Sequence, residues 1–270
     1  PAVLLGFERA NVDLLLFVVL CFAGVIAANF RILVNQLIAS FVIACATILK
    51  IYPLFSFFAL LIRQTNITFM LWIIILFFSM ISVWYYTHPL ELGYIFGANP
   101  VPHDSLVFGG GKLFYLLFNS KEYNVALTLA TITSVLVGYF ISRNISNLGD
   151  IGNRDINLYL IGVSILAGAF YFTTNYDYRC IFLVMCLPAL LKMRVLPSVN
   201  ERTRLITNSS IILVVYVAWA EFPLISGHIV TEYIEQIISW VLLTSIVSIG
   251  IAMLRQDKLS VLTKFRSNLY

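Results

Sequence analysis

The sequence predicts an all-helical membrane protein with a single domain, residues 1–270, folded as a polytopic bundle of about eight transmembrane helices. Composition is the first reason, because 60% of the 270 residues are hydrophobic and only 11% are charged, far from the balance of a soluble domain. The second reason is length. Apolar runs of about 20 residues, enough to cross a bilayer, recur along the whole chain and leave no room for a separate soluble domain.

Each apolar run is predicted to be a helix, because it is apolar on every face and does not alternate as a half-buried strand does. The runs cover residues 12–28, 33–62, 67–87, 124–142, 157–173, 178–192, 206–222 and 234–254. The second run is the longest, and we expect a single crossing that is kinked at "KIYP". The alternative is that KIYP breaks a re-entrant segment, which would move residues 1–31 to the opposite side.

Positive charge predicts the side that each connection faces, because cytoplasmic loops are enriched in Lys and Arg. The loop 193–205 and the tail 255–270 are basic and are predicted to be cytoplasmic, including the C-terminus. The turn before the last helix carries three glutamates and no Lys or Arg, which fits the outside. Alternation then places the loop 88–123 and the short turn "TNYDYRC" outside, and most of the 17 lysines and arginines inside.

Lys50 is the most unusual charge, because about a dozen apolar residues flank it on each side. A charge at that depth costs roughly 3 kcal/mol or more unless it is paired, snorkels or lines a polar cavity. Pro53 disturbs the helix three residues later. An antiparallel hairpin would bring Asp13 beside Lys50, either as a structural pair or as a polar site that holds a phosphate.

The turn TNYDYRC places two further charges at membrane depth. Tyr176 and Tyr178 fit the membrane interface, where an aromatic ring meets lipid headgroups. Arg179 offers a planar fork suited to a phosphate or carboxylate, with Asp177 beside it. The alternative is that both charges cap helix ends and that Arg179 reaches lipid headgroups.

No cofactor or metal is indicated. The four cysteines, Cys21, Cys45, Cys180 and Cys186, lie in or beside apolar runs without paired spacing and are interpreted as small core residues. "GGGK" lacks the spacing of a phosphate loop. His103 and Asp104 are adjacent and could serve in acid–base chemistry or loosely bind a divalent cation, but a solvated turn explains them as well.

Three short stretches carry a family resemblance, over residues 1 to about 192. "LKIYPL" is similar to an element of Lys followed by Tyr-Pro. "ERANVDLLLF" is similar to an element of Arg or Gln, Asn and Asp, and "NYDYRCIFLVMCLPALL" to a Tyr-Arg hairpin followed by a Leu-Pro helix. Together they resemble glycosyltransferase family 87 (DUF2029), polytopic enzymes of the GT-C superfamily.

The resemblance implies a GT-C-like bundle in the bacterial cytoplasmic membrane. It implies inverting transfer of a sugar, of mannose or arabinofuranose type, from a polyprenyl-phosphate donor to a lipid or polysaccharide acceptor on the extracytoplasmic face. The implied partners are this donor, the acceptor and the bilayer, without nucleic acid. The substrate-binding residues expected on this basis are Arg9, Asn11, Asp13, Lys50, Tyr52, Asp177, Tyr178 and Arg179.

Two points remain open in this interpretation. The family's catalytic acid usually lies in the first external loop, which we expect upstream of Pro1 because the chain starts without Met or a leader pattern, so the base is unassigned. The single-crossing interpretation also places Asp13 toward the cytoplasm, whereas the donor phosphate should lie outside. A transporter or flippase of lipid-linked saccharides is the main alternative, and a catalytically silent scaffold is a third.

Overall fold

The structure, a computed structural model, is a helical bundle, as predicted, and describes residues 12–28, 33–63, 66–87, 107–108, 110–118, 123–172, 175–219 and 229–267. The α-helices are α1 (Val12–Ile26), α2 (Leu33–Leu49), α3 (Ser56–Arg63), α4 (Ile67–Thr87), α5 (Gly110–Phe118), α6 (Tyr123–Ser142), α7 (Asn153–Phe172), α8 (Leu187–Val195), α9 (Glu201–Trp219) and α10 (Ile229–Ser267). The other described elements are two 3₁₀ segments, Tyr52–Phe55 and Asp177–Cys186, and two antiparallel strands, β1 (Val107–Phe108) and β2 (Asn175–Tyr176).

Among the described residues, three helical stretches are long and apolar enough to cross a membrane: Ile67–Thr87, Val125–Ser142 and Tyr233–Gln256. Only 17% of each of the first two is buried inside the bundle, and large apolar side chains such as Trp72 and Phe78 face outward. An outward apolar surface of this extent suits lipid and would be unusual in water. The predicted transmembrane helices are therefore supported for these three stretches; α1, α2 and Tyr52–Arg63 are apolar but shorter.

Helix α7 lies at the centre of the bundle. From Asp155 to Tyr171 none of its side chains is exposed, and α1, α3, α10 and the 3₁₀ segment Asp177–Cys186 all pack on it. A helix that is apolar all round belongs in such an interior position. Gly168 allows one close approach, because a Cβ there would lie 2.2 Å from the Phe55 ring.

The bundle has two ends, named here after the lysines that lie at them. At the Lys50 end, α1 begins and α2 finishes, so that Asp13 meets Lys50. Strands β1 and β2 pair at this end, where α7 finishes, with Val107 opposite Tyr176. The loop 88–123 and the turn TNYDYRC, predicted to share one side of the membrane, therefore meet.

The Lys192 end gathers the connections that the sequence assigned to the cytoplasm. Lys192 pairs with Asp155 in the first turn of α7. Polar bonds also tie the 143–152 connection to the residue before α9 and to α10: Asn200 Nδ2 donates to Ser146 Oγ over 2.8 Å, and Arg255 donates to the Ile145 carbonyl over 3.3 Å. The basic connections are thus joined at one end of the bundle.

The expectation that residues 33–62 form a single kinked crossing is wrong. The Gln36 side chain, near the start of α2, donates to the Ala27 carbonyl just after α1, over 3.4 Å. Lys50, at the other end of α2, reaches Asp13 at the start of α1. Helices α1 and α2 therefore form an antiparallel hairpin, and the chain reaches the Lys50 end at Lys50.

After Lys50 the chain turns back. Arg63, the last residue of α3, donates to Asn153 over 3.2 Å and to Asn157, both in the first turns of α7 at the Lys192 end. Asn157 in turn donates to the Gly24 carbonyl over 3.5 Å, near the end of α1. The KIYP element is thus the tip of a re-entrant segment, and α1 runs from the Lys50 end toward the Lys192 end.

Three further expectations change in detail. The predicted helix 178–192 begins as the 3₁₀ segment Asp177–Cys186 and becomes α-helical at α8, where Pro188 fits the first turn. The loop 88–123, expected to be non-helical, contains β1 and α5, and its Lys112 is fully buried. The basic tail continues α10 as helix to Ser267, and the loop 193–205 contracts to the connection 196–200.

Candidate functional site

A broken helix places Lys50 at the site. Helix α2 ends at Leu49, and the backbone N–H of Lys50 still donates to the Ala46 carbonyl over 3.2 Å. Pro53 has no N–H to continue the ladder, so the chain tightens into the 3₁₀ segment Tyr52–Phe55 before α3 begins. The Trp84 indole N–H donates to the Thr47 carbonyl in the last turn of α2, which ties α4 to this helix end.

Asp13 lies in the first turn of α1, and its side chain is only 2% exposed. The Lys50 ammonium lies 2.8 Å from Asp13 Oδ1, and the Tyr52 hydroxyl donates to the same oxygen. A carboxylate at this depth requires such partners, because removing an ion from water costs several kcal/mol. The start of a helix adds a favourable dipole for the negative charge. The pairing of Asp13 with Lys50 that the sequence predicted is confirmed.

Aromatic rings surround this cluster. The Tyr52 ring packs edge-on against Phe182, with centroids 5.5 Å apart, and Phe17 packs on Phe182 from α1 at 6.2 Å. Phe55 presses on α7 at Gly168. Because the Asp13 side chain is only 2% exposed, electrostatic interactions within the cluster are stronger than at an open surface.

The two charged side chains of the pair differ in their exposed fraction. The Lys50 side chain is 28% exposed, whereas that of Asp13 is sealed. The cluster therefore leaves part of the Lys50 side chain exposed and holds a carboxylate and a phenol behind it. An ammonium in this position can bind an anion such as a phosphate or carboxylate.

The predicted site residues have different outcomes. Asp13, Lys50 and Tyr52 come together in one cluster. Arg9 and Asn11 lie outside the described residues. The backbone of Asp177, Tyr178 and Arg179 begins the 3₁₀ segment that leads to Phe182, and their side chains lie outside the description. Arg179 is one 3₁₀ turn before Phe182, so its backbone is near the cluster, and its role stays a prediction.

A second ionic cluster at the Lys192 end was not predicted as a site. Asp155 is 2% exposed at its side chain, pairs with Lys192, and lies 3.4 Å from Arg154 Nε. The side chains of Lys192 and Arg154 are 49% and 62% exposed. The signal was present in "GNRDIN", where an acid directly precedes an apolar run, but the neighbouring cations were interpreted only as markers of the cytoplasmic side.

A buried hydroxyl cluster was also missed. Ser134 on α6 bonds to Tyr171 on α7 over 2.8 Å and to Thr244 on α10 over 2.7 Å. One turn farther along, Gly138 faces Ser248 and the Thr244 carbonyl. Small and hydroxylated residues at four-residue spacing let membrane helices approach closely, so this cluster is explained by helix packing.

The other candidate residues form no metal site within the described part of the chain. No group of three or more His, Cys, Asp or Glu side chains lies together there. Cys180 and Cys186 are buried, Cys21 is half-buried and Cys45 is exposed, all as free thiols. His103 and Asp104 lie outside the described residues.

Comparison with known proteins returns no family model, no curated protein and no solved structure that matches this chain.

Proposed function

We propose that the protein is a membrane glycosyltransferase of GT-C-like architecture with about eight membrane helices. It would transfer a sugar from a polyprenyl-phosphate donor to a lipid or polysaccharide acceptor of the cell envelope. The observation that carries the proposal is the Asp13–Lys50–Tyr52 cluster, a half-buried ammonium backed by a sealed carboxylate at a re-entrant helix tip. Intramembrane charges of this kind are functional more often than structural.

The direction of α1 supports the side that this reaction needs. The basic connections gather at the Lys192 end, so the positive-inside rule assigns that end to the cytoplasm and the Lys50 end to the extracytoplasmic face. Asp13 then lies on the outer side, together with β2 and the TNYDYRC turn. The conflict that a single crossing of 33–62 created for the donor phosphate no longer arises.

The proposed chemistry is a substitution at the anomeric carbon of the sugar. The acceptor hydroxyl attacks that carbon, the bond from the carbon to the phosphate oxygen breaks, and polyprenyl phosphate leaves with one more negative charge. Lys50 would stabilise this developing charge, with Arg179 as a second phosphate ligand. The base that accepts the hydroxyl proton is unassigned. None of these steps requires a cofactor.

The direct test is sugar transfer by the full-length protein in liposomes that contain a synthetic polyprenyl-phosphate sugar of mannose or arabinofuranose type. Lys50→Met should lower turnover on the order of 100-fold, because one charge aimed at the leaving group is lost. Lys192→Met, at the opposite end, is the matched control and should stay within about twofold of wild type. Equal turnover in all three proteins would remove Lys50 from the site.

One observation favours the alternative of a transporter or flippase. Lys50 follows Asp13 by 37 residues, and Lys192 follows Asp155 by 37 residues, with each aspartate in the first turn of a helix and the two pairs at opposite ends. Inverted repeats of this kind are typical of secondary transporters. The likeness does not extend to the following elements, because α3 is an 8-residue helix and α9 a 19-residue helix.

Proteoliposomes can separate the two functions. A flippase would expose a fluorescent lipid-linked saccharide to a membrane-impermeant quencher without consuming it. A transferase would change the saccharide chemically and leave its distribution between leaflets unaltered. Loss of flipping in both Lys50→Met and Lys192→Met would favour the transporter.

A further inference from the structure

We propose that Asp13 occupies the place of the substrate phosphate when no substrate is bound: a phosphate group binds Lys50 by displacing Asp13 from it. This inference rests on the proposed function only in taking the phosphate to be that of the lipid donor. It assigns Asp13 the role of a competing anion that regulates occupancy of the site. An aspartate that contacted the substrate directly, or that only stabilised the fold, would behave differently in the test below.

The two side chains of the ion pair differ in exposure. Lys50 lies just past the last residue of α2, is 28% exposed, and carries its charge on a flexible four-carbon stem. Asp13 is sealed inside the first turn of α1. When an anion approaches from outside, the ammonium can turn toward it while the carboxylate stays in place.

Asp13 retains stabilising contacts when Lys50 turns away. The Tyr52 hydroxyl donates to the same oxygen that binds the ammonium, and Trp84 and Phe55 hold the neighbouring turn on α4 and α7. The start of α1 favours a negative charge at Asp13. Because the carboxylate keeps a donor and the helix dipole, the exchange does not leave it without compensation.

The exchange predicts the direction in which phosphate affinity changes when Asp13 loses its charge. In this exchange a phosphate that binds Lys50 breaks the 2.8 Å pair with Asp13, so the pair lowers the affinity for the ligand. Removing the negative charge of Asp13 should therefore tighten phosphate binding. If Asp13 instead helped to hold the ligand, or only maintained the fold, its removal would weaken binding or leave it unchanged.

The experiment measures the Kd of the detergent-solubilised full-length protein for farnesyl phosphate, inorganic phosphate and the uncharged control farnesol. Asp13→Asn should bind farnesyl phosphate on the order of tenfold more tightly than wild type. Lys50→Met should lose the phosphate-dependent part of binding, and farnesol binding should not change in any variant. Asp155→Asn removes the matched aspartate at the other end and should bind as wild type does.

The two phosphate probes distinguish the source of the anion. Tightening for farnesyl phosphate alone identifies a lipid phosphate, and tightening for both probes identifies a general phosphate site; both results support the exchange. Asp13→Ser, a smaller uncharged variant, repeats the test if Asp13→Asn does not fold. Unchanged or weaker phosphate binding in a folded Asp13 variant overturns the inference.

Failure of this inference and failure of the proposed function are distinguishable. Tighter binding without any sugar transfer would retain the exchange and reject the transferase. Transfer that depends on Lys50, combined with unchanged affinity in Asp13→Asn, would retain the transferase and reject the exchange.

Discussion

The two ends of the bundle contain the same ion pair in different surroundings. Asp13 and Asp155 each lie in the first turn of a helix, and each binds a lysine 37 residues later. Asp155 also has Arg154 within 3.4 Å, and its cations are half exposed or more. Asp13 pairs with the less exposed Lys50 and accepts a hydrogen bond from the Tyr52 phenol, whose ring packs on Phe182. The environment, more than the pair itself, therefore separates a candidate site from a structural tie.

The largest effect is expected for Lys50→Met, because it leaves the sealed carboxylate of Asp13 without its countercharge. Breaking a buried pair from one side costs about 3–5 kcal/mol, and the loss should lie toward the lower end of this range because Asp13 keeps the Tyr52 hydroxyl and its place at the start of α1. Unfolding in mixed detergent micelles measures the loss, and Asp13→Asn combined with Lys50→Met should restore most of it. If Lys50→Met lowers the free energy of unfolding no more than Lys192→Met does, the two ion pairs are energetically equivalent.

Tyr52→Phe should rank second. It removes a hydrogen bond to a buried carboxylate, a bond of about 1.5–3 kcal/mol, while the ring stays packed on Phe182. The same unfolding assay measures it. Tyr216→Phe on α9 is a matched control at a half-buried position and should change stability by less than about 0.5 kcal/mol.

Gly168→Ala should follow with a smaller loss. A Cβ at this position would lie 2.2 Å from the Phe55 ring, an overlap that costs about 1–3 kcal/mol, and the better helix propensity of Ala returns up to about 1 kcal/mol. Because the ring belongs to the turn that carries Lys50, phosphate binding should also weaken. Gly250→Ala, where the nearest atom would be 3.6 Å away, is the control and should be neutral or slightly stabilising.

Lys192→Met should have the smallest effect, up to about 1 kcal/mol, because the lysine is half exposed and Arg154 remains beside Asp155. Its effect should shrink further in high salt, whereas that of Lys50→Met should persist, since partly buried pairs are screened less. Unfolding at low and high ionic strength tests the contrast. A salt-resistant loss at Lys192 would show that both pairs are equally shielded.

Much of the fold could be predicted because apolar runs and helix length are direct physical requirements of a bilayer. The direction of α1 could not. Arg9 precedes α1 in the chain and Arg31 follows it. If the direction of α1 is reversed, each is expected on the opposite side of the membrane, and the number of basic residues on each side does not change. Pro53 indicated a break after Lys50, but a break alone does not distinguish a kink from a return of the chain.

The Asp13–Lys50 pair could be predicted from one rule about neighbouring helices. An antiparallel hairpin brings the start of one helix beside the end of the next, and this placed Asp13 with Lys50. The same rule applies to Asp155 and Lys192, which are also 37 residues apart, but Lys192 fits a basic cytoplasmic loop and so gave no reason to expect a partner. The fully buried Lys112 could not be predicted, because the chain before and after it gave no indication of what covers α5.

The 3₁₀ segment Asp177–Cys186 alters how length should be counted in this chain. Its rise of about 2.0 Å per residue extends ten residues to about 20 Å, compared with about 15 Å for an α-helix. With the nine residues of α8 the stretch reaches about 33 Å, close to the full hydrocarbon thickness. As a continuous α-helix, residues 177–195 would be slightly shorter than the hydrocarbon thickness. With the 3₁₀ segment, the same residues are long enough to join both faces of the membrane.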